Sequence, residues 1–420
     1  MTVQSASATG PAAGEPGPIS NPFATVGFRV WWAASVVAGL GVGIQTVTVP
    51  LFIRDRVSED NRAIAIAAAL ISTQILAAAF SLLGGVLADR VERRRILVRT
   101  YSVAAIVSVA YVVLSAMDVS VVWPVYPLAM VVGTAGAFTN PARQSMVPQL
   151  LSRAQLQNGI ILGNVAFMAL LQFGGPTIGG LLADTAGLTV AFGVEVAALA
   201  FAVVLFSRVK TDTPVPSGRN VRGDLADGLR FVAKTPSLIG LLSIGAIPGI
   251  FIMGPFAVTV VLLVSDVFEA RDTFVGVLWG CFGGGILLGS LALTVKRLPR
   301  RGLFVCLCVF VGGFFFIGYG LTSSLPLAMV FLVLLGMTGP AVFINTVVAL
   351  IQEYTPPQMM GRVMSMYGLT FMATSPIGYA QAAVVERFVG PANTVVISGL
   401  MCTSLGLLCV LFLKPVRRLD

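Results

Sequence analysis

Residues 64–95 have the sequence IAIAAALISTQILAAAFSLLGGVLADRVERRR, and the architecture of the protein can be inferred from this stretch. Its first part, 64–88, carries no charged side chain and is long enough for a helix to cross a bilayer, which takes roughly 20 apolar residues. The second part is basic, with arginine at four of the six positions from 90 to 95. An uncharged run that ends in a cluster of arginines indicates a transmembrane helix that stops at the cytoplasmic surface.

The same pattern recurs along the chain and predicts twelve membrane spans. Only helices and closed barrels satisfy backbone hydrogen bonds in lipid, and these runs are too long for barrel strands of roughly ten residues. We therefore expect an all-α integral membrane protein. The predicted spans are 29–53, 64–88, 95–117, 121–142, 157–183, 188–207, 237–265, 273–295, 302–322, 326–352, 361–385 and 392–413.

The composition agrees with a membrane protein and excludes other classes. Of the 420 residues, 56% are hydrophobic and 11% are charged, whereas soluble chains carry roughly 25% charged residues. The net charge of +9 does not indicate a nucleic-acid partner, because the basic residues form short clusters between apolar runs. The chain has no histidine, so any proton transfer must use carboxylates.

Neither a cofactor nor an ATP site is expected. The five cysteines lie within apolar runs, at spacings that match no metal site and no disulfide framework. The sequence has no Gly-x-x-x-x-Gly-Lys-Ser/Thr loop for binding nucleotide phosphates. A transporter with this sequence would therefore take its energy from an ion gradient.

The lysine and arginine residues predict the orientation. With the N-terminus inside, 22 of the 27 basic residues fall on the inner side. The other five are Arg54, Arg56, Arg62, Arg271 and Arg387. Cytoplasmic loops carry the excess of positive charge, so we expect a cell-membrane protein with both termini in the cytoplasm.

Short internal repeats indicate two related halves. The stretch FTNPARQSMVPQL from residue 138 resembles FINTVVALIQEYT from residue 343, and PTIG at 176–179 resembles PIG at 376–378. Repeats of this kind are typical of secondary transporters. The predicted organisation is two pseudo-symmetric six-helix bundles (23–208 and 237–414), a cytoplasmic linker with a short amphipathic surface helix (209–236), a disordered cytoplasmic tail (1–22) and a C-terminal cytoplasmic tail (415–420).

The loop after the second span carries the most specific motif. An ordinary positively charged loop explains its arginines, but it does not explain the spacing Gly85-x-x-x-Asp89-Arg90. The stretch resembles the G-x-x-x-D-R-x-x-R-R signature of the major facilitator superfamily. In that family the acidic residue contacts helix eleven, and the cluster latches the cytoplasmic side while the transporter faces outward. The resemblance implies a latch made of Gly85, Asp89, Arg90, Arg93, Arg94, Gly361 and Arg362.

A second motif lies in the fifth span, where Gly175, Pro176, Gly179 and Gly180 occur within six residues. Proline and glycine at these positions predict a bend and close helix packing. The stretch resembles the core of the antiporter motif of drug/proton exporters, although Leu171 replaces an expected glycine. A purely structural kink remains the alternative interpretation.

Three further stretches are similar to the branch of the superfamily that contains the enterobactin exporter. They are NPARQSMVP at 140–148, GLRFV at 228–232 and GRVMS at 361–365. The resemblance implies export of a siderophore-like or drug-like compound. Many proton-coupled members place an arginine inside helix four. Here Arg143 follows the uncharged span 121–142, so we expect it at the cytoplasmic helix end and do not carry over the usual proton relay.

One acidic residue, Glu195, lies deep within a span. Such carboxylates are expensive in lipid and are functional candidates by default. We expect either proton coupling or substrate contact, or else a structural hydrogen bond to another helix. The polar residues that line a central cavity or bond a neighbouring helix are predicted to include Gln45, Gln74, Asn140, Asn164, Gln172, Asn345 and Gln352, with Arg143 as a further candidate contact.

These features predict a monomeric, proton-coupled efflux transporter that moves an amphipathic small molecule by alternating access. The expected partners are that molecule, protons and the lipid bilayer. An importer of a nutrient, or a lysophospholipid flippase, would have the same fold and remains an alternative. A membrane-embedded enzyme is disfavoured, because we find no nucleophile–base pair and no set of metal ligands.

Overall fold

The computed structural model describes residues 21–210, 230–295, 300–356, 359–417 and 419. Within these ranges, the side chains at 81–90, 293–295, 361, 365 and 371 are not described. The predicted N-terminal tail up to residue 20 and the predicted linker helix, apart from its end, lie outside the described residues.

In the described part of the chain, twelve long helices are numbered here in order. They are α1 (Val26–Arg54), α2 (Arg62–Arg90), α3 (Arg93–Ala116), α4 (Val125–Leu150), α5 (Arg153–Ala186), α6 (Leu188–Arg208), α7 (Pro236–Asp266), α8 (Thr273–Val295), α9 (Arg301–Leu321), α10 (Leu325–Tyr354), and α11 and α12, the two parts of Met360–Phe412.

The division between α11 and α12 follows from length. Among the described residues, ten helical stretches are long and apolar enough to cross a membrane. One of them, Arg362–Phe412, has 51 residues, or about 77 Å of helix, against a hydrocarbon core of roughly 30 Å. It breaks at Gly390, where φ is 77°, a value that glycine adopts readily. This stretch therefore supplies two spans, and α4 is the twelfth.

The predicted all-α membrane fold with twelve helices in two six-helix bundles is confirmed. Within the first half, α1 packs on α5 and α6, while α2 and α3 pack on α4. Within the second half, α8 packs on α10, and α9 on the α11–α12 segment. The halves meet where α5 contacts α8 and α2 contacts α11. Because the number of spans is even, the start of α1 and the end of α12 lie on the same face of the helix bundle. This face is called the terminal face here, and the opposite face is called the distal face.

Helix α4 corrects one prediction. It continues to Leu150, with Pro141 and Pro148 inside it, whereas the apolar run predicts an end at residue 142. Arg143 is fully buried and lies seven residues, or about 10 Å, before the helix end. The expectation that Arg143 sits at the cytoplasmic end of an uncharged helix is therefore wrong. Proline is tolerated here because neighbouring helices satisfy the freed backbone groups of membrane helices.

In the ranges given above, three of the helices contain wide π-helical turns. These turns are Leu170–Gly174 in α5, Gly249–Met253 in α7 and Met337–Ile344 in α10. Each one contains a proline or lies within two residues of one, and proline removes an i−4 hydrogen bond and favours such a local rearrangement. The predicted irregularity of α5 at Gly175–Pro176 takes this form. π-Helical turns occur frequently at functional sites.

The end of the chain packs on the second half. A short helix, Lys414–Arg417, follows α12. Val416 and Leu419 are buried, and the Gly302 N–H at the start of α9 donates a hydrogen bond to the Leu419 carbonyl at 3.0 Å. The described part of the predicted C-terminal tail is therefore ordered against α9.

Candidate functional site

A cavity of about 590 Å³ lies between the two halves and is called the central cavity. The first half lines it with α1 to α5, and the second half with α7, α8 and α11. Carboxamides and aromatic rings are spaced among many small apolar side chains, a lining that suits an amphipathic ligand. The carboxamide and aromatic side chains are those of Gln45, Gln74, Tyr111, Asn140, Gln172, Trp279 and Tyr379.

A second cavity, of about 460 Å³, is called the side cavity. It is bounded by α5 of the first half and by α7 to α10 of the second half. Gln172 lines both cavities, so they adjoin at the π-helical turn of α5.

The structure separates the predicted polar residues into different sites. Gln45, Gln74 and Asn140 line the central cavity, Asn164 and Asn345 line the side cavity, and Gln352 is exposed near the terminal end of α10.

Arg143 lies behind the side cavity. Its guanidinium stacks 3.9 Å from the centre of the Phe167 ring, and Nη2 donates a hydrogen bond to Asn164 Oδ1 at 3.4 Å. Nε and Nη1 have no hydrogen-bond partner among the described residues. The cation–π contact compensates part of the cost of burying this charge, and the hydrogen bond fixes the orientation of Asn164.

Glu195 is fully buried between α3 and α6. The Ser108 hydroxyl donates to its Oε1 at 2.5 Å, and Oε2 has no partner among the described residues. Tyr111 lines the central cavity and stacks on Phe192 with ring centres 5.3 Å apart. Glu195 lines neither cavity and lies about one helical turn from Phe192 on α6. Sequence reasoning missed both Ser108 and Tyr111.

The glycines of the Gly175–Gly180 motif face two different neighbours. A Cβ atom added to Gly175 would lie 2.6 Å from Gly43 Cα of α1. A Cβ added to Gly180 would instead lie 2.8 Å from the backbone nitrogen of Gly276 in α8. Gly179 faces α1 at Ile44, and the Pro176 carbonyl lies against Gly276. One short motif therefore serves both the packing of the first half and the contact between halves.

Among the described residues, three ion pairs join the halves on the distal face. Arg54 of α1 binds Asp272 through two hydrogen bonds, of 2.5 and 2.9 Å. Arg62 of α2 lies 3.8 Å from Asp266 at the end of α7. Arg271 and Thr273, which precede and begin α8, both contact Asp184 of α5, at 3.0 and 2.7 Å. These contacts hold the distal ends of the two halves together.

We expect Asp272→Asn to shift the protein toward states that are open on the distal face. Loss of a charge-assisted hydrogen bond of about 1.4 kcal/mol changes such an equilibrium about tenfold. Arg54 keeps Asp55, 2.7 Å away in its own half, as a partner. The measurement is the distribution of electron spin–spin distances between labels at the exposed residues Asp60 and Arg387.

The matched control is Asp118→Asn. Asp118 pairs with Arg56 at 3.1 Å on the same distal face, but both residues belong to the first half. The control is expected to leave the distance distribution unchanged. An equal shift in both variants, or no shift in Asp272→Asn, would contradict a role for the Arg54–Asp272 pair in closing this face.

The predicted latch lies on the terminal face and is only partly described. Four of its positions belong to the parts of the helices whose side chains are not described, namely Gly85, Asp89, Arg90 and Gly361. Arg94 pairs with Glu92 at 2.8 Å, and Arg362 near the start of α11 donates to Met359 Sδ at 3.5 Å. Arg93 Nε is buried without a hydrogen-bond partner among the described residues. A contact between Asp89 and α11 therefore stays a prediction.

Comparisons with known proteins agree with this architecture. The family model of transmembrane secretion effectors, within the major facilitator superfamily, matches residues 18–420. Macrolide efflux protein A of Streptococcus pyogenes is 24% identical over 355 residues, covering 80% of this chain and 84% of that protein. The enterobactin exporter EntS of Escherichia coli is 24% identical over 396 residues, covering 93% and 92%.

A solved structure supports the fold. The bacterial homologue of the human lysosomal transporter Spinster, in its inward-facing and occupied conformation, has a TM-score of 0.71 and 14% identity. The match covers 94% of this chain and 99% of that one. At this identity the similarity shows the fold alone. Because the family model spans nearly the whole chain, the protein belongs to the transmembrane secretion effector family of the major facilitator superfamily and is a membrane transporter of its efflux branch.

Proposed function

We propose that this transporter exports an amphipathic, siderophore-like or drug-like small molecule across the cell membrane in exchange for protons. The observation that carries the proposal is the central cavity, which the first half lines with carboxamides and the second half with aromatic rings. The related proteins are named for efflux of a macrolide and export of enterobactin, which supports the class of cargo.

The transport cycle follows from the two-halved architecture. The bias of basic residues supports a cytoplasmic location of the terminal face. The two halves, acting as a monomer, rock about the central cavity so that it opens to each side in turn. The distal ion pairs hold the state that is closed to the outside, and the Asp89–Arg93 cluster holds the opposite state.

Glu195 is the proposed coupling residue. It is a deeply buried carboxylate in a chain without histidine, and a buried carboxylate can gain and lose a proton as its surroundings change. Tyr111 lines the central cavity and stacks on Phe192, about one helical turn from Glu195, so a ligand that moves the Tyr111 side chain would change those surroundings. The alternative role, a structural hydrogen bond with Ser108, is separated by the Glu195→Gln experiment below.

The direction of transport is tested with compounds that accumulate in cells of a deletion strain but not in the same strain carrying the wild-type gene. Everted vesicles that hold the wild-type protein are expected to accumulate such a compound when their interior is acidic, and to stop when an uncoupler collapses the gradient. Accumulation by right-side-out vesicles instead would favour the importer or flippase alternative.

Gly136→Leu is expected to lower this uptake at least tenfold. Gly136 lines the central cavity, and a Cβ there would meet open space, so leucine fills the cavity without displacing a neighbouring helix. Gly193→Leu is the control, because Gly193 also faces open space but lines neither cavity. Uptake that survives Gly136→Leu at the wild-type rate would show that cargo does not pass through the central cavity.

A further inference from the structure

We propose that the side cavity is a second ligand compartment, which binds an uncharged amphiphile with its hydroxyl or amide group toward the terminal face. This inference concerns binding and does not depend on the direction or coupling of transport. The compartment is distinct from the central cavity, since α9 and α10 line it while α1, α2 and α4 do not.

Apart from Gln172, which lies where the two cavities adjoin, the amide and hydroxyl groups of the side-cavity lining are all toward the terminal face. Asn164, Ser290 and Asn345 all lie in the terminal halves of their helices. Toward the middle of the membrane the wall consists of Ile252, Phe282, Ile286, Leu335 and Phe343. This order matches an amphiphile that points its polar group to the nearer surface and its apolar part inward.

The polar end offers one donor and one acceptor. Asn164 Oδ1 accepts a hydrogen bond from Arg143, which leaves the Asn164 NH₂ group to donate. Asn345 Nδ2 donates to the Ala341 carbonyl at 2.6 Å and to the Ser290 hydroxyl at 3.4 Å, which leaves Asn345 Oδ1 to accept. A hydroxyl or an amide, which both donates and accepts, complements this pair.

The described lining of the side cavity contains no charged side chain. Arg143 does not line the cavity and is separated from it by Asn164 and Phe167, so a charged head group would lose its hydration there without direct contact with an opposite charge. This loss is unfavourable in a low-dielectric site. Uncharged head groups are thus preferred over anions and cations that carry the same apolar chain.

The π-helical turns provide independent support. All three described turns line this one cavity: Gln172 comes from the turn in α5, Ile252 and Met253 from that in α7, and Pro340, Phe343 and Ile344 from that in α10. Three irregular turns from separate helices converge on the side cavity, and such turns occur frequently at functional sites.

The test uses a monoacylglycerol that carries a photoreactive diazirine in its acyl chain, added to the protein in lipid nanodiscs. Peptides that include 282–290 and 335–345 are expected to be labelled on illumination. A fatty acid and an alkylamine with the same chain should label these peptides at least fivefold less. Equal labelling by the charged and uncharged probes would overturn the proposed selectivity.

A cavity-filling variant locates the site. Gly339 lines the side cavity, and a Cβ there would meet open space, so Gly339→Leu is expected to reduce labelling of these peptides at least fivefold. Gly136→Leu fills the other cavity and Gly193→Leu fills neither, and both should retain labelling. Labelling that persists in Gly339→Leu would place the probe elsewhere and refute the compartment.

A second variant guards against misfolding of the first. Asn345→Leu removes the hydrogen-bond acceptor and keeps a similar side-chain volume. It is expected to lower monoacylglycerol labelling about fivefold, which is the effect of one hydrogen bond. Unchanged labelling would refute the acceptor role of Asn345.

Two competitors then separate the sources of the natural ligand. Competition by a transported compound assigns the compartment to cargo, and competition by a bilayer phospholipid assigns it to lipid; both outcomes retain the compartment.

Discussion

Gly175→Ala is expected to destabilise the protein by about 3 kcal/mol, the upper end of the usual range for overpacking. The added Cβ would lie 2.6 Å from Gly43 Cα and 2.7 Å from the Leu170 carbonyl oxygen. Both are backbone atoms, so relief requires α1 or the π-helical turn to move. The loss outweighs the gain in helix propensity, which is at most about 1 kcal/mol for glycine to alanine. Thermal unfolding of the purified protein in detergent measures the effect.

Gly174→Ala is the matched control, one residue earlier. Its added Cβ would come closest, at 2.8 Å, to Leu170 Cδ1, the end of a flexible side chain that can rotate away. We expect its unfolding temperature to stay within experimental error of the wild type. If the two alanine variants unfold alike, the close packing of α1 on α5 at Gly175 is not the reason for a glycine there.

Glu195→Gln is expected to abolish transport that is driven by a proton gradient while leaving exchange of cargo across the membrane intact. The amide has nearly the same shape and can still accept the hydrogen bond from Ser108, but it cannot bind and release a proton. Uptake in everted vesicles should fall at least 50-fold with a gradient, on the order of the contribution of a positioned acid–base group. Exchange of labelled for unlabelled cargo without a gradient is the companion measurement.

Two outcomes separate coupling from a structural role. Glu353→Gln alters a half-exposed glutamate that pairs with Arg301 on the terminal face, and it should leave gradient-driven uptake unchanged. Full gradient-driven uptake by Glu195→Gln would reject the coupling role. Equal loss of driven uptake and of exchange would show that Glu195 supports the fold rather than the coupling step.

The twelve spans are predictable because the hydrocarbon imposes one strong requirement, an apolar run long enough to cross it. The prediction is wrong at the end of α4 for a clear reason. The apolar run stops at Ala142, but the helix continues because Arg143 packs its guanidinium on Phe167 of the next helix. Local hydrophobicity contains no information about such a contact.

The environment of Glu195 shows a second limit. The residue stands out in the sequence as a deep carboxylate, but its partner Ser108 is 87 positions away and belongs to a different span. Nothing near either residue marks the pairing. The side cavity was also not predictable. Its π-helical turns lie in helices that are apolar on every side, so no hydrophobic stripe in the sequence indicates which residues face the cavity.

The π-helical turn Leu170–Gly174 determines the direction in which the residues after it point around the axis of α5. One additional residue in a turn rotates everything beyond it by about 100° relative to a regular α-helix. Gly175 meets α1, and Gly180 meets α8, because this extra residue precedes them. In evolution, the insertion or deletion of a single residue in this stretch would rotate the rest of α5 about its axis. The whole segment would then contact different neighbouring helices, although its own side chains are unchanged.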